Sequence, residues 1–385
     1  MTLSSVNNTP LRPFEPMVLD CLGEISTAIL KSPVGRQFPD LTAFAFYIRK
    51  ANLQKLALNL NPDEIRLGRG LCFHIAPANI PINFAFTWVF SLLAGNANVV
   101  RLPSKDFPQV DALLNIINVT LEKYPELKDR NVFVKYPRTD NETTAAYCQM
   151  ADCRMIWGGD RTIAAIKALP TRPRCVDIAF ADRYSVALLG AEAILKVDDD
   201  HIARLAQDFY NDTYLMDQNA CSSPQVILWE GEKVVEAQER FWSAVEEVAK
   251  AKYVLQDAVA VDKYTLFCEE TVANESIKSV MRKGNLLYRV ELKSLSPDII
   301  SHRGKAGFFF EYTLQDRREL FSVITEKFQT ITQFGIDATE LAQQLVSAHL
   351  RGIDRIVSIG KAMDIGVIWD GHDLIRELSR VVALA

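Results

Sequence analysis

Residues 69–101 read RGLCFHIAPANIPINFAFTWVFSLLAGNANVVR, with no Lys, Arg, Asp or Glu between the two terminal arginines. An uncharged run of that length is long enough to cross a bilayer. Its punctuation argues against that use. Pro77, Asn79, Pro81, Asn83, Gly95, Asn96 and Asn98 divide it into a strand, a rigid turn, a short helix and the opening of a second strand. The stretch therefore reads as a buried βα unit, and no membrane span is expected.

Working outward, the same alternation continues. Strands are expected over 70–76, 98–102, 132–135 and 154–157, with helices over 83–94, 108–123, 144–150 and 161–169. Upstream, apolar residues at helical spacing predict helices over 17–30 and 41–58, the second ended by Asn61-Pro62. Short apolar strands separated by helices imply βαβ units and a parallel sheet covered on both faces. Such sheets bind ligands beyond the C-terminal ends of their strands, here the turns after Ala76, Leu102 and Trp157. A second α/β region starts near His201, with a helix to about 214, a strand over 225–229 and further elements to about 335. A helix over 339–350, a strand over 353–359 and a final helix from Asp373 complete the chain. The fold class is α/β in two closely packed domains, because the candidate linkers are short.

Composition narrows the function. With 49% hydrophobic and 24% charged residues, the 385-residue chain has the balance of a globular protein. A formal net charge of −5 leaves no basic footprint for nucleic acid. Seven cysteines without CxxC spacing suggest reduced thiols in the cytoplasm, and no metal site is expected. Residues 1–10 lack the basic and apolar blocks of a secretory signal.

Four segments could carry chemistry. Cys221 lies in 217-DQNACSSPQVILW-229, at a loop-to-strand junction among small residues that leave room for a reacting carbonyl. It reads as a nucleophile or as a buried structural cysteine. Asn79, between two prolines in 75-IAPANIP-81, offers a neutral N–H donor for an oxyanion, or a turn Asn bonding its own backbone. In 92-LLAGNANVVRLPSK-105, Arg101, Ser104 and Lys105 come to the sheet edge, where they suit a ribose or a 2′-phosphate, or form a solvated surface cluster. In 157-WGGDRT-162, Gly158 and Gly159 could turn backbone N–H groups toward a pyrophosphate. No GxGxxG fingerprint occurs.

Taken in order, these segments resemble the aldehyde-dehydrogenase superfamily, with 75–81 similar to its Pro-Trp-Asn-aromatic-Pro turn. More closely, 219-NACSSPQ-225 and the tail elements 328-FQTI-331, 352-GIDRI-356, Gly360, 369-WDG-371 and 378-LSR-380 resemble the LuxC family of acyl-CoA reductases. The resemblance covers about 67–380. It implies a Rossmann-like cofactor domain over 1–200, a catalytic domain carrying Cys221 over 201–335, and a C-terminal segment over 336–385 that packs back on the domain interface. It makes Cys221 the nucleophile and Asn79 the oxyanion donor, and it assigns Arg101, Ser104, Lys105, Gly158, Gly159 and Glu311 to the cofactor. Lys105 stands where the superfamily has a ribose-binding Glu, which favours NADPH. The strand that carries a general-base Glu in hydrolytic relatives reads 174-RCVDIAFADR-183 here, without any Glu. Only Asp177, two residues from the aligned position, could serve as a base there. The implied reaction is reduction of an acyl thioester, from acyl-CoA or an acyl-protein, to an aldehyde through an S-acyl cysteine. Two rivals share the resemblance: a CoA-acylating aldehyde dehydrogenase running oxidatively, and a non-catalytic acyl-carrying subunit. A homo-oligomer and an acyl-protein synthetase partner are implied by the family alone.

Overall fold

The charge-free run becomes the centre of a five-stranded sheet. In the computed structural model, which describes residues 6–77 and 80–384, a short β1 (Arg66–Gly68) leads into β2 (Leu71–Ile75). Helix Asn83–Leu93 and β3 (Ala97–Arg101) follow, and every residue of that helix is buried. β4 (Asn131–Val134), β5 (Cys153–Trp157) and β6 (Val176–Phe180) complete the sheet in the order β4-β3-β2-β5-β6. All its pairings are parallel. Alternate side chains serve opposite faces. Cys72 and Val100 enter the core beneath helices Pro16–Lys31 and Pro108–Leu121, whereas Leu71, Phe73, Ile75 and Val99 pack toward helix Asn141–Met150.

The polar residues inside the run satisfy one another across the strands. Asn131 Oδ1 accepts from Trp88 Nε1 at 2.7 Å and from Asn98 Nδ2 at 2.8 Å. Asn98 Oδ1 lies 3.0 Å from His74 Nε2, so the imidazole carries its proton on Nε2. Asn96 Oδ1 accepts the backbone N–H groups of Arg69 and Gly70 at 2.7 and 3.1 Å. These contacts pair the named buried groups, while His74 Nδ1 and Asn83 Oδ1 in the same run have no hydrogen-bond partner among the described residues.

Strand order reverses beside β2: β3 and β4 lie to one side, β5 and β6 to the other. The turns after Ile75 and Trp157 therefore flank a topological switch point, the usual ligand crevice of an open α/β sheet.

A second sheet contains β7 (Tyr184–Gly190), β8 (Pro224–Glu230), β9 (Ile277–Lys283), β10 (Leu287–Leu292), β11 (Phe308–Thr313), β12 (Phe328–Phe334) and β13 (Arg355–Ser358). Its order is β13-β12-β7-β8-β11-β10-β9, and only the β9–β10 pair is antiparallel. Val226 and Leu228 pack on one face; Ile227 and Trp229 pack on the other, under helices Asp199–Thr213 and Val234–Lys252. The exposed edge strand β9 carries Lys278, Arg282 and Lys283, charges that discourage edge pairing.

The chain divides into two compact units, residues up to Ala181 together with those from Ile365 onward, and Asp182–Asp364. The boundary falls before residue 200 because β7 pairs with β8 and β12, so it belongs to the second sheet. The segment expected over 336–385 is likewise shared between the two units. The single helix expected over 41–58 is two, Pro39–Tyr47 and Lys50–Ala57, because Arg49 adopts extended backbone (ψ 135°). The expected C-terminal helix shrinks to Leu374–Glu377; Ser379–Val381 pairs instead with β1, where Arg66 Nε donates to Ser379 Oγ at 2.9 Å. Among the described residues no helix is long and apolar enough to cross a membrane.

Arg154, 2% exposed on β5, is neutralised by both carboxylate oxygens of Asp177 on β6, each at 2.6 Å. Removing one partner of such a pair strands a buried charge. Asp177→Ala is expected to lower stability in urea denaturation by about 3 kcal/mol.

Candidate active site

Cys221 sits on a loop that the chain bends sharply and then pins. After helix Asp199–Thr213 and the turn Tyr214–Met216, Asp217 (φ 49°) and Gln218 (φ 58°) are both left-handed, a conformation costly outside glycine. The buried side chain of Gln218 holds the bend in place. Its Oε1 accepts from the backbone N–H groups of Gly307 and Phe308 at 2.8 and 3.2 Å, and its Nε2 donates to the Phe308 carbonyl at 3.1 Å. Gly307 must be glycine: its φ is +86°, and a Cβ there would lie 2.2 Å from the Leu286 carbonyl oxygen. The Tyr253 hydroxyl donates to Asp217, and Gln225 Nε2 donates to the Gln218 carbonyl at 3.1 Å. Ser223 Oγ donates to the Asp212 carbonyl at 2.7 Å, and Ser185 Oγ to the carbonyl of Cys221 itself at 2.7 Å. The loop delivers Cys221, half-buried, at the N-terminal end of β8.

The thiol faces a cavity whose lining includes Arg183, Asp262, Leu266, Arg303 and Lys305. Its volume is about 550 Å³. The cations there meet carboxylates: Arg183 pairs with Asp354, Arg303 with both oxygens of Asp182 at 3.1 and 3.0 Å, and Lys305 with Asp262 at 3.2 Å. Behind the wall, Lys263 donates to the Ala306 carbonyl at 2.7 Å, and burial pulls its ammonium down to about 7. A neutral amide, Gln329 Nε2, lies 3.4 Å from Cys221 Sγ. The sequence placed Gln329 in the family-like segment 328-FQTI-331 without assigning it a role.

The other expected site residues fall in the first unit, with one exception. Arg101 ends β3 with its guanidinium 4.6 Å above the Tyr136 ring, and Ser104 and Lys105 are exposed on the following turn. Gly158 donates its N–H to the Phe180 carbonyl at 3.2 Å. Gly159 caps helix Asp160–Lys167, and nothing lies within 4 Å of where its Cβ would be. These residues share the C-terminal edge of the parallel sheet. Arg138, beyond β4, joins them through Thr162 Oγ1 at 3.2 Å and was not foreseen. Asn79 lies outside the described residues.

The exception is Glu311, which the structure removes from the cofactor set. It is 2% exposed on β11 in the second unit, and its carboxylate accepts from Trp229 Nε1, Trp242 Nε1 and Arg289 Nε at 2.9, 2.6 and 2.6 Å. Asp177 is equally committed, to Arg154. His302 is held by Glu270 at 2.7 Å, and that hydrogen bond raises its pKa.

The architecture is similar to that of solved structures at low sequence identity. The NAD-dependent benzaldehyde dehydrogenase from Corynebacterium glutamicum matches at TM-score 0.62 and 13% identity, over 96% of this chain and 84% of that one. Proline utilization A from Bradyrhizobium japonicum matches at TM-score 0.63 and 13% identity, over 96% of this chain and 43% of that one. The fold is that of the aldehyde dehydrogenases, as expected. A comparison with curated protein sequences found no significant match. The profile of the LuxC acyl-CoA reductases matches residues 59–384, and the chain belongs to that family.

Asp212 gives the site a pH signature. It is 1% exposed, and its carboxylate accepts the backbone N–H groups of Gly360 and Ala362 at 2.6 and 2.9 Å. Burial raises its pKa to about 7, with Asp208 and Asp364 adding like charge nearby. The unfolded chain ionises this carboxyl near 3.8. Folding therefore retains a proton between the two values, and its stabilising effect, full at the acid end, is lost as pH rises toward 7. In urea titrations the wild type is expected to lose up to about 1.4 kcal/mol per pH unit more than Asp212→Asn across that window, with no further divergence above it.

Proposed function

We propose that the protein reduces an acyl thioester, supplied as acyl-CoA or on an acyl-protein, to the aldehyde with NADPH, through an S-acyl intermediate on Cys221. The observation that carries this reading is the pinned loop that holds Cys221 against a cavity in a chain of the acyl-CoA reductase family. Attack of the thiolate on the thioester carbonyl expels the carrier thiol and conserves the thioester bond energy on the enzyme. Asn79 is the proposed donor to the oxyanion. The strand β6 segment that would carry a water-activating base has no Glu, and its Asp177 is tied to Arg154. An acyl-enzyme so protected from hydrolysis survives until it is reduced.

The C-terminal edge of the first unit fits a phosphate-bearing dinucleotide. Gly159 leaves the start of its helix open, Arg138 reaches Thr162 of that helix, and Arg101 at the end of β3 and Lys105 just beyond it lie at the same C-terminal edge of the sheet. Lys105, with Ser104, is the proposed partner of the 2′-phosphate; Gly158 and Gly159 would admit the pyrophosphate. A bound nicotinamide supplies the hydride that converts the acyl carbon to the aldehyde oxidation level. A homo-oligomer and an acyl-activating partner enzyme remain part of the proposal on family grounds.

Two measurements test it. With a panel of acyl-CoAs, wild type is expected to oxidise NADPH, followed by absorbance, and Cys221→Ala to lose activity about ten-thousand-fold or more. Failure of every acyl-CoA despite NADPH binding would move the donor to an acyl-protein; failure to bind either nicotinamide cofactor would refute the reductase. Lys105→Ala is expected to raise the KM for NADPH about tenfold and leave that for NADH unchanged.

A further inference from the structure

We infer that Gln329 is a catalytic residue whose side-chain amide donates to the Cys221 sulfur and stabilises the thiolate, both as it attacks and as it leaves. The inference rests on Cys221 being the nucleophile. Gln329 Nε2 is 3.4 Å from Sγ, and the side chain is fully buried. Its carbonyl oxygen accepts from Thr330 Oγ1 at 3.3 Å, which turns the NH2 end toward the sulfur.

The backbone is irregular where this placement requires it. Pairing of β12 with β7 breaks register between Phe328 and Ile331, the interval that holds Gln329, and pairing of β7 with β8 breaks between Ser185 and Val186. Ser185 Oγ fills the gap, accepting the Thr330 N–H at 3.2 Å while donating to the Cys221 carbonyl at 2.7 Å. Bulges re-aim side chains at sheet ends. Here one hydroxyl fixes the amide-bearing strand and the thiol-bearing loop relative to each other.

The electrostatics of the cavity give this contact its weight. Arg183, Arg303 and Lys305 are matched by Asp354, Asp182 and Asp262. A neutral donor stabilises the thiolate without a proton of its own to lose, and a thiolate of moderate basicity stays strongly nucleophilic. In the acylation step the Sγ–carbonyl carbon bond forms, and the carrier sulfur leaves with the pair of the broken bond and takes a proton from solvent. After reduction, the thiohemiacetal oxygen re-forms the carbonyl and Sγ departs as thiolate, back to the Gln329 N–H. The sulfur is anionic at the start of the first step and the end of the last, so one donor serves both.

The test is peptide-resolved mass spectrometry of iodoacetamide alkylation across pH, in wild type, Gln329→Ala and the isosteric Gln329→Glu. Half-buried Cys268 serves as the internal reference. The midpoint for Cys221 is expected to rise about one pH unit in Gln329→Ala and further in Gln329→Glu, with Cys268 unmoved. The kcat with acyl-CoA is expected to fall about tenfold at unchanged KM. Gln329→Met, which keeps the length and removes the donor, replaces any variant whose circular dichroism is not native. A Cys221 midpoint that stays within about 0.3 unit of wild type, or moves together with Cys268, would overturn the role. Alkylation needs no turnover, so that result would leave the reductase reading to stand or fall on Cys221→Ala.

Discussion

One carboxamide holds the Cys221 loop in place. Gln218 binds two N–H groups and one carbonyl of the Gly307–Phe308 backbone, and so ties the loop before β8 to the start of β11. Two consecutive left-handed residues cost on the order of 1–3 kcal/mol each. They persist because this clamp, the Ser223–Asp212 bond and the Ser185–Cys221 bond together over-determine the bend. The strained residues stand in the loop that carries Cys221.

The clamp works because both of its sides belong to a doubly buried parallel sheet. β8 and β11 are hydrogen-bonded neighbours, with apolar side chains filling both faces. The same frame absorbs charge. Glu311 sits in it without solvent because two indoles and Arg289 share its carboxylate. Asp212 couples the Cys221 loop to the Gly360 turn, where φ is +90° and a Cβ would fall 2.7 Å from that of Asp208. The glycine in the family-like tail is therefore a packing requirement of the Cys221 surroundings.

The fold was legible because apolar strands and capped helices alternate in the sequence with little noise, and the uncharged run could be nothing but interior once its prolines and asparagines were read as turns. Less local features were hidden. The His74–Asn98–Asn131–Trp88 network depends on the register of three strands, which no spacing reveals. Residues 379–381 have helical neighbours but find a strand partner more than 300 positions away. Glu311 was assigned to the cofactor by resemblance, because two tryptophans and an arginine from other elements are invisible to its own strand. The placement of Cys221 at a loop-to-strand junction was legible from its flanking residues. Gln329 was not, because its meaning arises from a bulge that turns it toward a sulfur 108 positions away in the chain.

On the proposed function, Cys221 accepts an acyl group from a thioester. The most direct measurement is mass spectrometry of the protein incubated with acyl-CoA in the absence of any nicotinamide cofactor. The predicted result is a mass gain of one acyl group, mapped to the 217–229 loop and strand and absent in Cys221→Ala. An unmodified protein, or an acyl group on a different residue, would contradict it.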